Sequence, residues 1–362
     1  MGARILILAG GTGGHVYPAL AVAHELLADG HEVVWMGTRA GLEARVVPAA
    51  GIPVEWLSVS GLRGKGWRNK LAAPFMLARA CLQALGILRR VRPAVVLGMG
   101  GFVSGPGGLM ARLLGIPLVL HEQNRIPGTT NRWLARWASV VLEAFPDSFP
   151  AKVGARCTGN PLRREIAALH GKVANEGEET PATRLLVVGG SLGAKALNEA
   201  MPSAIAAAGL PLEIRHQTGA AMRDDTAARY AEAGIEARVD AFVEDMAEAY
   251  AWADVAVCRA GAMTVSELSA AGLPAILIPF PYAIDDHQTR NARYLADAAA
   301  AVLLPQSELT PERMAQEIKA LLEQPERLQA MAANAASLAK PEAARTVADI
   351  CLQAALTTNH SQ

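Results

Sequence analysis

The chain reads as an α/β protein of two Rossmann-like domains with parallel sheets, on three observations. Short, apolar, mostly β-branched runs alternate with Ala/Leu-rich stretches of helical length from end to end. Such alternation marks parallel strands buried on both faces by helices. The alternation also starts twice: the opening ILILAGGTGGH returns as LLVVGGSLGAK about 180 residues later, each time as strand, Gly-rich turn and helix. Finally, 362 residues is about twice the usual domain size.

Strands are predicted at residues 4–9, 32–37, 54–58, 94–98, 117–121 and 139–143 in the first half. In the second half they are predicted at 184–188, 212–217, 237–242, 255–259, 275–279 and 301–304. Residues 18–29 and 195–208 exemplify the intervening helices. The polar stretch within 160–181 has no apolar period and is expected to be the linker. The predicted domains are therefore 1–162 and 163–340, with 341–362 a closing helix that packs back toward the first domain.

An apolar content of 51% with 19% charged residues supports large cores and excludes a disordered chain. Four scattered cysteines provide no disulfide framework and no zinc-type spacing, as suits a reduced cytoplasmic compartment. The apolar run at 5–9 is too short for a secretory signal, and glycines follow at once.

The formal net charge of zero conceals two opposite halves. Residues 1–160 carry 17 Lys/Arg against 8 Asp/Glu, and residues 161–362 carry 17 against 26. No acidic residue occurs from 56 to 121, where nine basic ones do. A basic face of this kind attracts phosphates or an anionic lipid surface. Within it, residues 74–88 form an apolar helix whose only charge is Arg79. A bilayer crossing needs about 20 residues, so this helix is read either as core or as lying on a membrane surface. The uncharged run 93–111 is broken by six Gly and two Pro, so no spanning helix is predicted.

Several Gly-rich or polar turns follow predicted strands. GGTGGH at 10–15 lets the backbone approach a ligand and presents a helix N-terminus, which favours anions and sugars. It departs from GxGxxG, because Val16 stands where the third glycine would be. His15 is a candidate general base or a hydrogen-bonded loop histidine. GMGGFVSGPGG at 98–108 is a candidate phosphate loop or a mobile one. HEQN at 121–124 puts Glu122 and Asn124 at a strand's carboxyl end, where α/β sheets bind ligands. GGSLGAK at 189–195 lacks P-loop spacing, and Ser191 is either a diphosphate donor or an ordinary helix cap. In CRAGAMTVSE at 258–267, residues Ala262–Thr264 offer N–H groups, Glu267 suits a ribose, and Arg259 can offset phosphate charge. PFPYAIDDHQTRN at 279–291 gathers Asp285, Asp286, His287, Gln288 and Asn291, which suits a sugar better than a metal.

In this order, GGTGGHVYPALAVA, SGLRGKG, GMGGFVSGPGG, HEQN, GNPLR, GGSLGA, CRAGAMTVSE and the Gln288/Asn291 pair closely resemble the MurG family of bacterial peptidoglycan transferases. The resemblance implies a GT-B fold, with two Rossmann-like domains whose parallel sheets face each other across a cleft. It implies an inverting transfer of GlcNAc from UDP-GlcNAc to the 4-hydroxyl of MurNAc in undecaprenyl-pyrophosphoryl-MurNAc-pentapeptide (lipid I), giving lipid II. The first domain would then bind acceptor and membrane, and the second the donor. Thr12, Gly13 and Gly14 would contact GlcNAc and its phosphate, and Asn124 and Gln288 the sugar hydroxyls. Arg163 and the Val243 backbone would read the uracil. Ser191 and the helix start at Ala262, Met263, Thr264, Val265 and Ser266 would hold the diphosphate, and Glu267 the ribose. His15 is the first candidate base and Glu122 the second.

No metal, cofactor or nucleic-acid partner is expected, and the chain contains no DxD sequence. The implied location is peripheral, on the anionic cytoplasmic face of the bacterial inner membrane, with cell-wall synthesis or division proteins as further partners. Lys65, Arg68, Lys70, Arg79, Arg89 and Arg90 are the expected docking charges. The alternatives are a UDP-GlcNAc epimerase on the same fold, a nicotinamide oxidoreductase and a non-catalytic membrane recruiter.

Overall fold

The computed structural model describes residues 2–58, 67–172, 182–190 and 194–359. They form two compact units: Met1–Arg163 with Glu342–Gln362, and Arg164–Pro341.

The first unit holds seven strands: β1 (Arg4–Ala9), β2 (Glu32–Gly37), β3 (Val54–Trp56), β4 (Val95–Gly100), β5 (Leu118–Glu122), β6 (Val140–Glu143) and β7 (Arg156–Cys157). Their order is β3-β2-β1-β4-β5-β6-β7, and every pairing is parallel. The second unit holds β8 (Thr183–Val188), β9 (Leu212–Gln217), β10 (Arg238–Asp240), β11 (Val255–Cys258), β12 (Ala275–Leu277) and β13 (Ala301–Leu303). These run β10-β9-β8-β11-β12-β13, again all parallel. Each unit is thus a doubly wound α/β sheet, as the alternation predicts.

The departures are at strand ends; interior β12, predicted at 275–279, is three residues long at Ala275–Leu277. The predicted strands at 54–58 and 237–242 shorten to three residues each, and both are outermost in their sheets. β7 has only two residues, both exposed, too few to carry any apolar pattern.

Central β1 shows why the sheet needs cover on both sides. Side chains alternate along a strand. Ile5, Ile7 and Ala9 enter one core with the helix Gly13–Ala28, while Leu6 and Leu8 enter a second core with Ala84, Ile87, Leu88 and Val91. These five side chains are fully buried, and Arg4 at the start of the strand is partly exposed. Burying such aliphatic side chains stabilises by about 1.5–3 kcal/mol each.

The C-terminal helix Ala343–Asn359 belongs to the first unit. Val347, Ala348, Cys351, Ala354 and Ala355 recur at helical spacing and complete the core that holds Ile5 and Ile7. Residues 173–181 of the expected linker lie outside the described residues, and its beginning is ordered structure. Arg164–Ala167 is already a helical turn of the second unit, with Ile166 fully buried. Arg163, assigned from sequence to the second domain, is the last residue of the first unit, and its guanidinium lies 5.6 Å from the Tyr17 ring centre.

The helix Trp67–Val91 packs one face into the core and leaves apolar side chains exposed on another. Ala80, Ala84, Ile87 and Val91 line its inner face, while Phe75, Leu77 and Leu82 stay 80%, 50% and 69% exposed. No described helix is long and apolar enough to cross a membrane.

Candidate active site

In each sheet the chain reverses its winding direction at one place, between β1 and β4 in the first unit and between β8 and β11 in the second. Open α/β sheets bind ligands at the strand carboxyl ends beside such switch points. The sequence-predicted residues can be followed there unit by unit.

In the first unit, β1 runs into the glycine turn and the helix Gly13–Ala28, whose N-cap residue is Thr12. The Thr12 carbonyl accepts from His15 and Val16, and no side chain caps the helix. Gly13 and Gly14 form the first turn, so their N–H groups point out of the helix start. Gly11 has φ +98°. It is held by Glu43, which sequence reading missed: this fully buried carboxylate accepts from Gly11 N (2.9 Å), Thr38 N (2.9 Å) and Thr38 Oγ1 (2.7 Å).

The second glycine loop serves packing more visibly than phosphate. Gly100 and Gly101 have φ of +102° and +81°. A Cβ on Gly101 would collide with the Gly10 carbonyl, and one on Gly100 would sit 2.8 Å from His15 Nδ1. The loop thereby seats the His15 ring. Nδ1 of that ring lies 2.8 Å from Gln123 Oε1. Gln123 Nε2 lies 3.2 Å from His121 Nδ1, and His121 Nε2 lies 2.9 Å from the Gly159 carbonyl. His121 is fully buried, and burial lowers its pKa to about 4, partly opposed by the Gly159 carbonyl.

Glu122 is 2% exposed, and its oxygens accept from Asn124 N (3.0 Å), Gly128 N (3.0 Å), Asn131 Nδ2 (2.9 Å) and Asn124 Nδ2 (3.4 Å). Four donors occupy the lone pairs that a general base needs free. The geometry therefore gives Glu122 the task of shaping the 122–131 turn, in which Asn124 is half-buried.

In the second unit, β11 leads through Arg259 and Gly261 into the helix Ala262–Ala271, which again has no side-chain cap. Ala262, Met263 and Thr264 open it; the Val265 side chain is buried in the core, and its N–H already donates to the Gly261 carbonyl at 2.9 Å. Ser266 and Glu267 follow on the same helix, and Glu267 Oε2 accepts from Tyr250 OH at 2.9 Å. Arg259 is tied to the carbonyls of Ile278 and Pro279 and to Gln306 Oε1, and burial lowers its pKa. That anchors the ends of β12 and β13 more directly than it awaits a phosphate.

Gln288 lies on the helix His287–Ala296 and accepts from Phe280 N at 2.9 Å. Asn291, fully buried, donates to the Ala260 carbonyl. Val243 lies in the loop after β10, whose Ala241 carbonyl accepts from Gln217 Nε2. Gln217, another residue the sequence did not single out, also bonds Gly190 N and O at 3.0 and 3.1 Å. Ser191 lies outside the described residues. Asp285 and Asp286 both have positive φ, and among the described residues no group of His, Cys, Asp and Glu could hold a metal ion.

Comparison with known proteins agrees with this arrangement. The profile of the glycosyltransferase family 28 N-terminal domain matches residues 5–143, and that of the C-terminal domain matches residues 184–347. With these matches, the two doubly wound units are those of a GT-B glycosyltransferase of family 28. A UDP-N-acetylglucosamine–N-acetylmuramyl-(pentapeptide) pyrophosphoryl-undecaprenol N-acetylglucosamine transferase of Methylococcus capsulatus is 64% identical over 98% of this chain and 99% of its own. The transferase of that name from Azotobacter vinelandii is 54% identical over the same shares. The crystal structure of Acinetobacter baumannii MurG superposes with a TM-score of 0.83 at 41% identity, covering 97% of this chain and 99% of that one. The chain belongs to the MurG family.

Proposed function

We propose that this chain transfers GlcNAc from UDP-GlcNAc to the 4-hydroxyl of the MurNAc sugar of lipid I, with inversion, to give lipid II. The observation that carries this is the 64% identity to a named transferase along essentially the whole of both chains. An epimerase is not favoured, since solved UDP-N-acetylglucosamine 2-epimerases are only 13–14% identical to this chain and share the fold alone.

The barrier is departure of UDP from an oxocarbenium-like carbon. The uncapped helix Ala262–Ala271 of the second unit can stabilise that charge with fixed N–H dipoles. Losing one such donor costs about 3 kcal/mol, on the order of a hundredfold in rate. Glu267, held by Tyr250, binds the ribose; Gln288 and Asn124 bind sugar hydroxyls; Arg163 and the Val243 backbone read the uracil. His15 takes the acceptor proton. Release of UDP from UDP-GlcNAc, measured with and without lipid I, tests the reading. Acceptor-dependent release with a β1→4-linked product is expected. Acceptor-independent formation of a new UDP-sugar would establish the epimerase instead.

The acceptor is lipid-borne, so the first unit also docks on the anionic cytoplasmic surface of the membrane as a peripheral protein. The outer stripe of the helix Trp67–Val91 supports this, with Phe75, Arg79, Leu82 and Arg89 exposed along one face. Arg90 is partly engaged by Glu55 at 2.6 Å. Lys65 and the side chains of Arg68 and Lys70 lie outside the described residues. Each basic group near such a surface contributes about 1 kcal/mol. Sedimentation with anionic vesicles should fall when Phe75 and Leu82 become Asp; unchanged sedimentation would refute this surface.

A further inference from the structure

The hydrogen bonds behind His15 run in one direction only, and two carbonyls set that direction. His121 Nε2 is 2.9 Å from the Gly159 oxygen. A carbonyl can only accept, so this nitrogen carries the proton. His121 is wholly buried, where a single proton on the ring is favoured, so its Nδ1 is an acceptor. Gln123 must then turn its amide nitrogen toward His121, at 3.2 Å from Nδ1. The same nitrogen reaches the His121 carbonyl at 3.3 Å, a second group that can only accept. The opposite amide orientation would set an oxygen against two acceptors. With the amide so fixed, Gln123 Oε1 faces His15 Nδ1 at 2.8 Å, and that nitrogen must donate. Gln123 is itself 1% exposed and anchored by its main chain, whose carbonyl accepts from Asn160 Nδ2 at 3.1 Å.

We propose that Gln123 and His121 are positioning residues that lock His15 in the tautomer protonated at Nδ1, leaving Nε2 as the bare lone pair that receives the acceptor hydroxyl's proton. The inference rests on the reading of His15 as the base. In the step, the O–H bond of the 4-hydroxyl breaks and its proton passes to Nε2. The oxygen forms the new bond to the anomeric carbon while UDP leaves with the old bonding pair. An imidazole without this lock is free to carry its proton on Nε2, which is useless for this step. Gly100 belongs to the device, because only a residue without Cβ leaves room for the ring beside Gln123.

Long-range proton–nitrogen NMR correlation on the full chain, labelled at histidine, reads the tautomer directly, with the His15 signal assigned by its loss in His15→Gln. The intact protein at pH 8 should show His15 protonated at Nδ1. Gln123→Leu should release it toward the Nε2-protonated form and lower kcat on the order of a hundredfold, with KM for UDP-GlcNAc little changed. His121→Phe, which does not touch His15, should shift the tautomer in the same direction. An Nε2-protonated His15 in the intact protein would overturn the proposal by itself, whether or not either variant folds. A tautomer unmoved in Gln123→Leu would overturn it too. A locked tautomer in a chain whose His15→Ala variant keeps its full rate would overturn the base reading and leave the lock standing.

Discussion

Glu43 and Gly11 are 32 residues apart in sequence, yet the Glu43 carboxylate accepts the Gly11 N–H at 2.9 Å and so fixes the turn that opens the first unit's site. Gly10, Gly37 and Gly41 surround the carboxylate; a Cβ on Gly10 would lie 2.6 Å from Oε1 and one on Gly37 2.7 Å from Cγ. Glu43→Ala leaves buried donors unpaired and should cost about 3 kcal/mol. Urea denaturation checks this, and KM for UDP-GlcNAc should rise as the turn loosens. Gly41→Ala, which would drive a methyl into the carboxylate, should act in the same direction. Parent-like stability in both variants would refute the clamp.

Gly100→Ala separates activity from stability. The new methyl would meet His15 Nδ1 at 2.8 Å, and φ of +102° adds strain of about 1–3 kcal/mol. Gly115→Ala is the control: its φ is +71°, but nothing lies within 4 Å of its Cβ. Both should melt earlier, and only the first should lose most of its transfer rate. Equal rates in the two would show that the ring's seat does not matter.

Tyr250→Phe removes the 2.9 Å hydrogen bond that aims Glu267. A bond to a charged group contributes about 1.5–3 kcal/mol, so UDP affinity should weaken about tenfold. Titration calorimetry with UDP reads this, and kcat should change little. Undiminished affinity would mean that Glu267 needs no such support.

Acid should loosen both units through one buried histidine each. Burial holds His121 near a pKa of about 4 and His216 near about 3, below the ordinary 6.5. Between 6.5 and these values the unfolded chain binds the proton and the folded chain does not, so stability falls as pH falls. The slope is about 1.4 kcal/mol per pH unit for each group. Above 6.5 neither contributes. Urea midpoints measured from pH 7.5 down to 4 should show this, and His216→Phe should flatten the loss for the second unit even though it lowers stability at neutral pH.

The C-terminal helix should matter for its apolar face and hardly at all for its ion pairs. Val347 is fully buried against the β1 core, so Val347→Asp should abolish the folded first unit. Arg345 reaches Asp29 at 2.7 Å across exposed surface, and Arg345→Ala should shift the melting temperature little. A soluble, cooperatively melting Val347→Asp would contradict the packing.

Local pattern carries a parallel strand far better than an edge. The runs at 4–9 and 32–37 coincide with β1 and β2 because, after the first residue, every position is buried and apolar or glycine, whereas the run at 212–217 coincides with β9 although it holds Glu213, Arg215, His216 and Gln217. The two-residue β7 and the early end of β3 left no such trace. The glycine turns were visible because each follows a strand directly. Their supports were not. Glu43, Gln217 and Tyr250 are ordinary polar residues on other elements, without motif spacing, and folding alone brings them to the turns.

Composition and period, acting within a few residues, thus determined that this chain forms two doubly wound sheets and which turns stand at their carboxyl ends. Tertiary structure alone decided which groups hold those turns: Glu122's oxygens are already taken, and the Gly159 carbonyl reaches His15 through His121 and Gln123. The physical reason is range. Helix and strand preferences are set by neighbours along the chain, whereas a buried hydrogen bond is set by whatever donor or acceptor the completed fold places about 3 Å away.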